Sequence, residues 1–89
     1  MIETEITISN KLGLHARASA KLVATASKFL SKIEISHSTK TINAKSIMGV
    51  MMLAASIGTN LTLKVEGEDE EQASEAICQL INDKFGEGE

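Results

Sequence analysis

The stretch Leu61-Thr62-Leu63-Lys64-Val65-Glu66 alternates apolar and polar residues without a break. Successive side chains of a strand point to opposite faces, so this segment has one dry face and one wet one. Ile2, Ile6 and Ile8 set among Glu3, Glu5 and Thr7 repeat the pattern, and Ile33 and Ile35 set among Lys32, Glu34 and Ser36 repeat it again. His37-Ser38-Thr39 reads as a turn into a short strand, Thr39 to Asn43, anchored by Ile42. A sheet built from such strands is solvated on one side. Every helix of the chain therefore has to cover the other side.

Between the strands the apolar period lengthens to that of a helix. From Ala16 onward, Ser19, Leu22, Val23, Ala26, Phe29 and Leu30 fall on one stripe, and Ala16, Ala18, Ala20, Ala24 and Ala26 favour the helix. Ser46 is a good N-cap for a second helix from about Ile47 through the apolar run to Ala55, ended by Ser56 and Gly58. Gly49 weakens that helix by roughly 1 kcal/mol relative to alanine. Asp69 with Gln72 predicts a capping box for a third helix, with Ala73, Ala76, Ile77, Leu80, Ile81 and Lys84 on its stripe. Glu70 and Glu71 suit its positive end and Lys84 its negative end, and Gly86-Glu87-Gly88-Glu89 is expected to fray. The succession implies an α+β fold, a sheet covered on one face by three helices. The pattern does not choose the strand order; a ferredoxin-like arrangement shares much of this succession.

The length, 89 residues, favours one domain over 1–89. Phe29 and Phe85 are the only aromatic residues, so the core must be aliphatic and base stacking is disfavoured; the net charge of -3 also argues against a nucleic-acid surface. Cys78 is alone, which excludes an internal disulfide, and its place on an apolar helix face reads as a small core residue. The start of the chain lacks the pattern of a secretory signal, and the apolar run Ile47–Ala55 is too short for a bilayer. The chain reads as cytoplasmic, with no membrane association. His37 has no carboxylate or cysteine partner in sequence and reads as an exposed, ordinary residue.

The chemistry concentrates in Gly13-Leu14-His15-Ala16-Arg17-Ala18-Ser19, where a strand-like segment gives way to a helical one. Helix N-termini attract anions, and imidazole is a nucleophile near neutral pH. His15 is thus a candidate phosphoryl acceptor, although one histidine at a helix start is ordinarily only a surface residue. The run Ile47 to Leu53 is apolar on most sides, which implies either full burial or a docking surface.

Two segments carry a family resemblance. Gly13-Leu14-His15-Ala16-Arg17 resembles the active-site signature of HPr, the histidine phosphocarrier family of the bacterial phosphotransferase system. Lys45-Ser46-Ile47-Met48-Gly49-Val50-Met51 resembles the family's regulatory-site signature, and Gly67-Glu68-Asp69-Glu70-Glu71-Gln72-Ala73 is similar to its last helix start. The match covers nearly the whole chain. It implies an open-faced β-sandwich of four antiparallel strands and three helices. It implies a covalent carrier, not catalytic alone, whose His15 takes a phosphoryl group on Nδ1 from enzyme I and passes it to IIA domains of sugar permeases. In that role the backbone N–H groups of Ala16 and Arg17 and the Arg17 guanidinium would stabilise the phosphate. Ser46 would be the regulatory phosphorylation site, served by an HPr kinase/phosphorylase. Ile47, Met48 and Met51 form the expected docking surface of a monomer, and neither a cofactor nor a metal is implied.

Ala18 departs from the family, which usually has proline there. With His15 as N-cap, position 18 lies in the first turn, where proline is tolerated. The departure leaves open the fine geometry of Arg17 and the choice between the sugar-transport carrier and its nitrogen-related regulatory paralogue. A non-phosphorylated binding module using the Ile47–Leu53 patch is a further reading. A small hydrolase is a weak one, since no nucleophile, base and orienting group come together in sequence.

Overall fold

The four strands anticipated from the alternation all form, and they join in one antiparallel sheet. The computed structural model describes residues 1–87, with β1 at Ile2–Thr7, β2 at Lys32–His37, β3 at Lys40–Asn43 and β4 at Asn60–Glu66. The strand order is β1-β4-β2-β3, so the last strand in sequence lies inside the sheet. Its register sets Ile6 opposite Leu61 and Ile35 opposite Leu63, and in the β2–β3 pair Ile35 faces Ile42. With the pleat's period of two, this aligns Ile6, Ile33, Ile35, Leu61, Leu63 and Val65 on one face, where all six are buried. On the open face Lys64 stands between Glu3 of β1 and Glu34 of β2, an alternation of charge that suits a wet surface.

Helices α1 (Ala16–Ala26), α2 (Ile47–Met52) and α3 (Glu70–Asn82) cover the other face. Helix α1 buries Ala18, Ser19, Leu22 and Ala26; α3 buries Ala73, Ser74, Ile77 and Ile81. Cys78 is half-buried against this core, and burial pushes its thiol pKa up, which keeps it a weak nucleophile.

Three boundaries differ from the sequence expectation. Helix α1 stops at Ala26, so Leu30 leaves the stripe and is 85% exposed. Helix α2 stops at Met52 rather than Ala55, because Ala54 adopts a left-handed φ of 50°. Lys84 lies beyond α3 in a 3₁₀ turn, Lys84–Gly86. The Ser46 cap forms as expected: its side chain accepts from Gly49 N–H at 3.1 Å. Gly49 sits where a Cβ would come 3.3 Å from Ile42 Cβ, so the helix weakened by this glycine gains a close approach to β3.

The capping box does not form. Asp69 occupies the N-cap position of α3, but its side chain makes no cap bond. Its carboxylate instead accepts from the backbone N–H groups of Leu30 (2.8 Å) and Ser31 (2.9 Å) and from the Ser31 hydroxyl. A carboxylate accepting three donors from another loop is better satisfied than one taking a single helical N–H. Glu70 takes up local duty by accepting from Gly67 N–H at 3.2 Å. The Ser31 hydroxyl, then the Leu30 amide, hold the Asp69 pKa below its ordinary 3.8. The unfolded chain thus binds this proton more readily, and the stabilisation is present above that value and fades as pH falls through the lowered one. Asp69→Asn is expected to lower the Tm at neutral pH, with the gap to wild type closing in acid below 3.8. Thermal melts of both proteins across that range check it; a pH-independent gap would assign the loss to shape rather than charge.

The expected fraying is overturned for Gly86 and Glu87; Gly88 and Glu89 lie outside the described residues. Phe85 is buried, and Lys84, Phe85 and Gly86 have φ of 55°, 56° and 75°, which reverses the chain after α3. Lys21 Nζ donates to the Phe85 carbonyl at 2.6 Å, and Ser9 Oγ donates to the Ile81 carbonyl at 2.8 Å. One buried aromatic and two side-chain clamps hold this turn in place. No described helix is long and apolar enough to cross a membrane.

Candidate functional site

The chain enters the site through a tight turn. Gly13 has a φ of 68°, and a Cβ there would lie 2.5 Å from the Ala55 carbonyl oxygen. Only glycine fits this conformation and this close approach without displacement. Leu14 N–H then donates to that same carbonyl at 2.9 Å, fastening the loop to the segment after α2. His15 N–H donates to the Gly13 carbonyl at 2.9 Å, and His15 itself is extended, with φ -72° and ψ 178°. It is therefore the N-cap of α1, as the sequence predicts, and its carbonyl accepts from Ser19 N–H at 2.8 Å. The Ser19 hydroxyl, fully buried, braces the turn through the Leu14 carbonyl at 3.1 Å.

The imidazole makes no cap bond to the helix. Ala16 and Arg17, the first two helical residues, belong to the turn whose N–H groups have no partner within the helix. The positive end of the helix is thus open beside the ring. Arg17 is exposed and makes no ion pair among the described residues. Together with Lys11, Leu12, Lys21, Gly86 and Glu87, His15 and Arg17 line a surface cleft of about 580 Å³. Three cations and a helix N-terminus around one histidine make a setting suited to a phosphate.

The ring also has a partner that no local pattern in the chain places there. Glu87, carried back by the turn after α3, sets Oε2 in hydrogen-bonding contact with His15 Nε2. Its Oε1 accepts from Asn10 Nδ2 at 3.0 Å, and the same Nδ2 donates to the Gly13 carbonyl at 2.8 Å. Asn10 is wholly buried. One amide thus locks both the glycine turn and the carboxylate that meets the histidine. The Asn10 hydrogen bond, followed by the His15 hydrogen bond and charge and the Lys21 charge, holds the Glu87 pKa below the usual range. Glu87 is a carboxylate at neutral pH.

Asn10 and Lys21 were also absent from the sequence expectation. Asn10 lies between β1 and α1, and Lys21 lies within α1, where neither local pattern marks a site residue. A signal did exist: one of two aromatic residues lies just past the last helix, and a buried Phe85 ties down its neighbours.

The segment 45–55 lies apart from this cleft in sequence but is joined to it through the Leu14–Ala55 bond. Ile47, Met48, Met51 and Met52 share one side of α2 and are exposed, Met48 by 70%, while Val50 and Leu53 are buried. Full burial of the apolar run is excluded, because Ile47, Met48 and Met51 are exposed. His37 is exposed at the end of β2, opposite Lys40.

The family model for the HPr component phosphorylation site of the phosphotransferase system matches residues 2–83. The chain belongs to the HPr family. Its relatives include the phosphocarrier protein HPr of Cupriavidus necator, 54% identical over 89 residues and the full length of both chains. The phosphocarrier protein NPr of Shewanella violacea is 44% identical, covering 97% of this chain and 94% of the relative. Among solved structures, HPr-C-His from Thermoanaerobacter tengcongensis superposes with a TM-score of 0.94 at 53% identity, covering 98% of each chain. HPr proteins are phosphocarriers of the phosphotransferase system, and the four-stranded antiparallel sheet with three helices is the HPr architecture.

The Ala18 departure sits where the first turn was expected. Ala18 is the third helical residue, fully buried, and its N–H precedes the first intrahelical donor, Ser19. Ala18→Pro is expected to fold, with a stability change within about 1 kcal/mol. Chemical denaturation measures this; failure to fold would mean that the buried site cannot house the ring.

Proposed function

We propose that His15 is the phosphoryl acceptor of this HPr-family carrier, charged by phosphorylated enzyme I and discharged onto IIA domains of sugar permeases in the cytoplasm. The observation that carries the reading is the placement of His15 as the N-cap of α1, its imidazole beside the open end of the helix and in a cleft shared with Arg17. In the transfer, the lone pair of His15 Nδ1 attacks phosphorus. The bond from phosphorus to the donor's histidine nitrogen breaks, and that nitrogen keeps the electron pair. The Ala16 and Arg17 N–H groups and the Arg17 guanidinium counter the charge on the phosphoryl oxygens, which is where phosphoryl transfer is stabilised. Nothing else in the cleft needs to react, which fits a carrier rather than a self-sufficient enzyme.

Docking falls to Ile47, Met48 and Met51, whose exposure on α2 supplies an adaptable apolar surface for more than one partner. Ser46, the cap of α2, is the regulatory site for an HPr kinase/phosphorylase. A phosphate there suits the helix start but places charge beside the docking surface, where desolvating it opposes partner binding. A second reading, the nitrogen-related regulatory branch, draws on the NPr relative. Comparing phosphorylation rates with the enzyme I of each branch separates the two. The reading as a whole is tested by incubation with phosphoenolpyruvate and enzyme I. An acid-labile gain in mass is expected; an unchanged mass would turn the assignment to a non-covalent binding module.

A further inference from the structure

We infer that Glu87 is a positioning residue for the phosphoryl transfer, holding the proton on His15 Nε2 throughout the cycle. The inference rests on the reading of His15 Nδ1 as the acceptor. Its basis is the contact between Glu87 Oε2 and His15 Nε2, made by a carboxylate that is itself fixed through Oε1 to the buried Asn10.

An imidazole has two nitrogens, and the hydrogen bond made by one decides the state of the other. A carboxylate is an acceptor only, so the nitrogen facing it must carry the proton. With Nε2–H paired to Glu87, Nδ1 presents its lone pair and attacks without first losing a proton. The product ring then bears phosphorus on Nδ1 and the proton on Nε2, a cation next to the Glu87 anion. In the onward step the Nδ1–phosphorus bond breaks and Nδ1 keeps the pair. Because Nε2 has held its proton, the leaving group is neutral imidazole. Were that proton lost, the same step would expel an imidazolate, a far poorer leaving group. No proton enters or leaves the ring in either direction.

The groups around the ring bear on this assignment. Arg17 and Lys21 project from α1, Lys11 from the preceding loop, and Glu87 from the turn after α3. Among the cleft residues Glu87 is the only anion, and Lys21 Nζ is engaged by the Phe85 carbonyl. The anion sits on the nitrogen that does not take phosphorus, so it meets the ring without blocking the reactive atom. It is less exposed than its partner, 14% against 29%, as suits a group built into the site.

The test uses the full chain with Glu87→Ala and Glu87→Gln. The glutamine removes the charge while leaving an amide oxygen for Asn10. Each variant is charged with phosphoenolpyruvate and enzyme I, and transfer from the isolated phosphoprotein to a IIA domain is timed under single-turnover conditions. Glu87→Ala is expected to transfer at least about tenfold more slowly, with Glu87→Gln between it and wild type. Nitrogen NMR of the phosphorylated ring supplies the readout that a merely structural role would not move. In wild type at mildly alkaline pH, Nε2 should give the signal of a protonated nitrogen. In Glu87→Ala at the same pH it should give that of an unprotonated one. Unchanged rates and signals, with His15 still phosphorylated, would overturn the role of Glu87 and leave the acceptor reading intact. Faster transfer in the variants would also overturn it, making the contact a brake. Wild-type protein that gains no phosphoryl group on His15 would remove both readings together.

Discussion

His15→Ala is expected to give a folded protein that accepts no phosphoryl group. The side chain is one-third exposed or less, makes no bond to the helix it caps, and contacts the rest of the protein through Glu87. The bonds that shape the turn are made by its backbone: N–H to the Gly13 carbonyl and carbonyl to Ser19 N–H. Alanine keeps both, so the melting midpoint should move by no more than a few degrees, in line with a partly exposed site outside the core. The chemistry has no substitute. His37 is the only other imidazole, and it lies at the exposed end of β2, not among the residues of the cleft. With radiolabelled phosphoenolpyruvate and enzyme I, label should be lost in His15→Ala and retained in His37→Ala. Label on the His15→Ala protein would move the acceptor elsewhere.

The largest effect on stability should come from Gly13→Ala. A left-handed φ costs a residue with a Cβ roughly 1–2 kcal/mol. The added atom would also lie 2.5 Å from the Ala55 oxygen and 2.9 Å from Ser56 Cα, both backbone atoms that cannot swing aside. Relief must come from moving the loop, which breaks the Leu14–Ala55 bond and loosens the Gly13 carbonyl from Asn10. A total of roughly 3 kcal/mol follows, or a fall in Tm on the order of 12–24 °C for a domain this size. Phosphorylation of any remaining folded protein should slow as well, since the same turn places His15. A melt within a few degrees of wild type would show that the loop gives way easily and that the turn is not what fixes the ring.

How far the sequence could be read follows from the range of the interactions involved. Alternation at Leu61–Glu66 and the stripe Ala73–Ile81 are local, and both elements form. His15 and Ser46 are local caps, and each occupies its expected position. The capping box was equally local in appearance, yet Asp69 turned away because Leu30 and Ser31 offered it three donors from another part of the chain. No pattern in a window of twenty residues carries that competition. The tail misled for the same reason. Glu87 is glycine-flanked and polar, which locally means fraying, but it is joined to His15 across 72 positions in sequence. The strand order was likewise invisible, because alternation assigns a residue to a face and says nothing about its neighbour.

That order has a consequence for the chain while it is being made. β1 has one strand partner, β4, and the Thr7–Asn60 contact spans 53 positions. β2 also needs β4 on one side. A nascent chain that has not yet reached Asn60 holds the β2–β3 hairpin and the segment of α1, but the strand that belongs between β1 and β2 does not yet exist. Ile6, Ile33 and Ile35 then have no finished sheet to join. At about 5–20 residues per second, ribosomes leave this state in place for seconds. The first two-thirds of the sequence thus carries unpaired strand faces for that time, and the emergence of β4 closes the sheet from both sides at once.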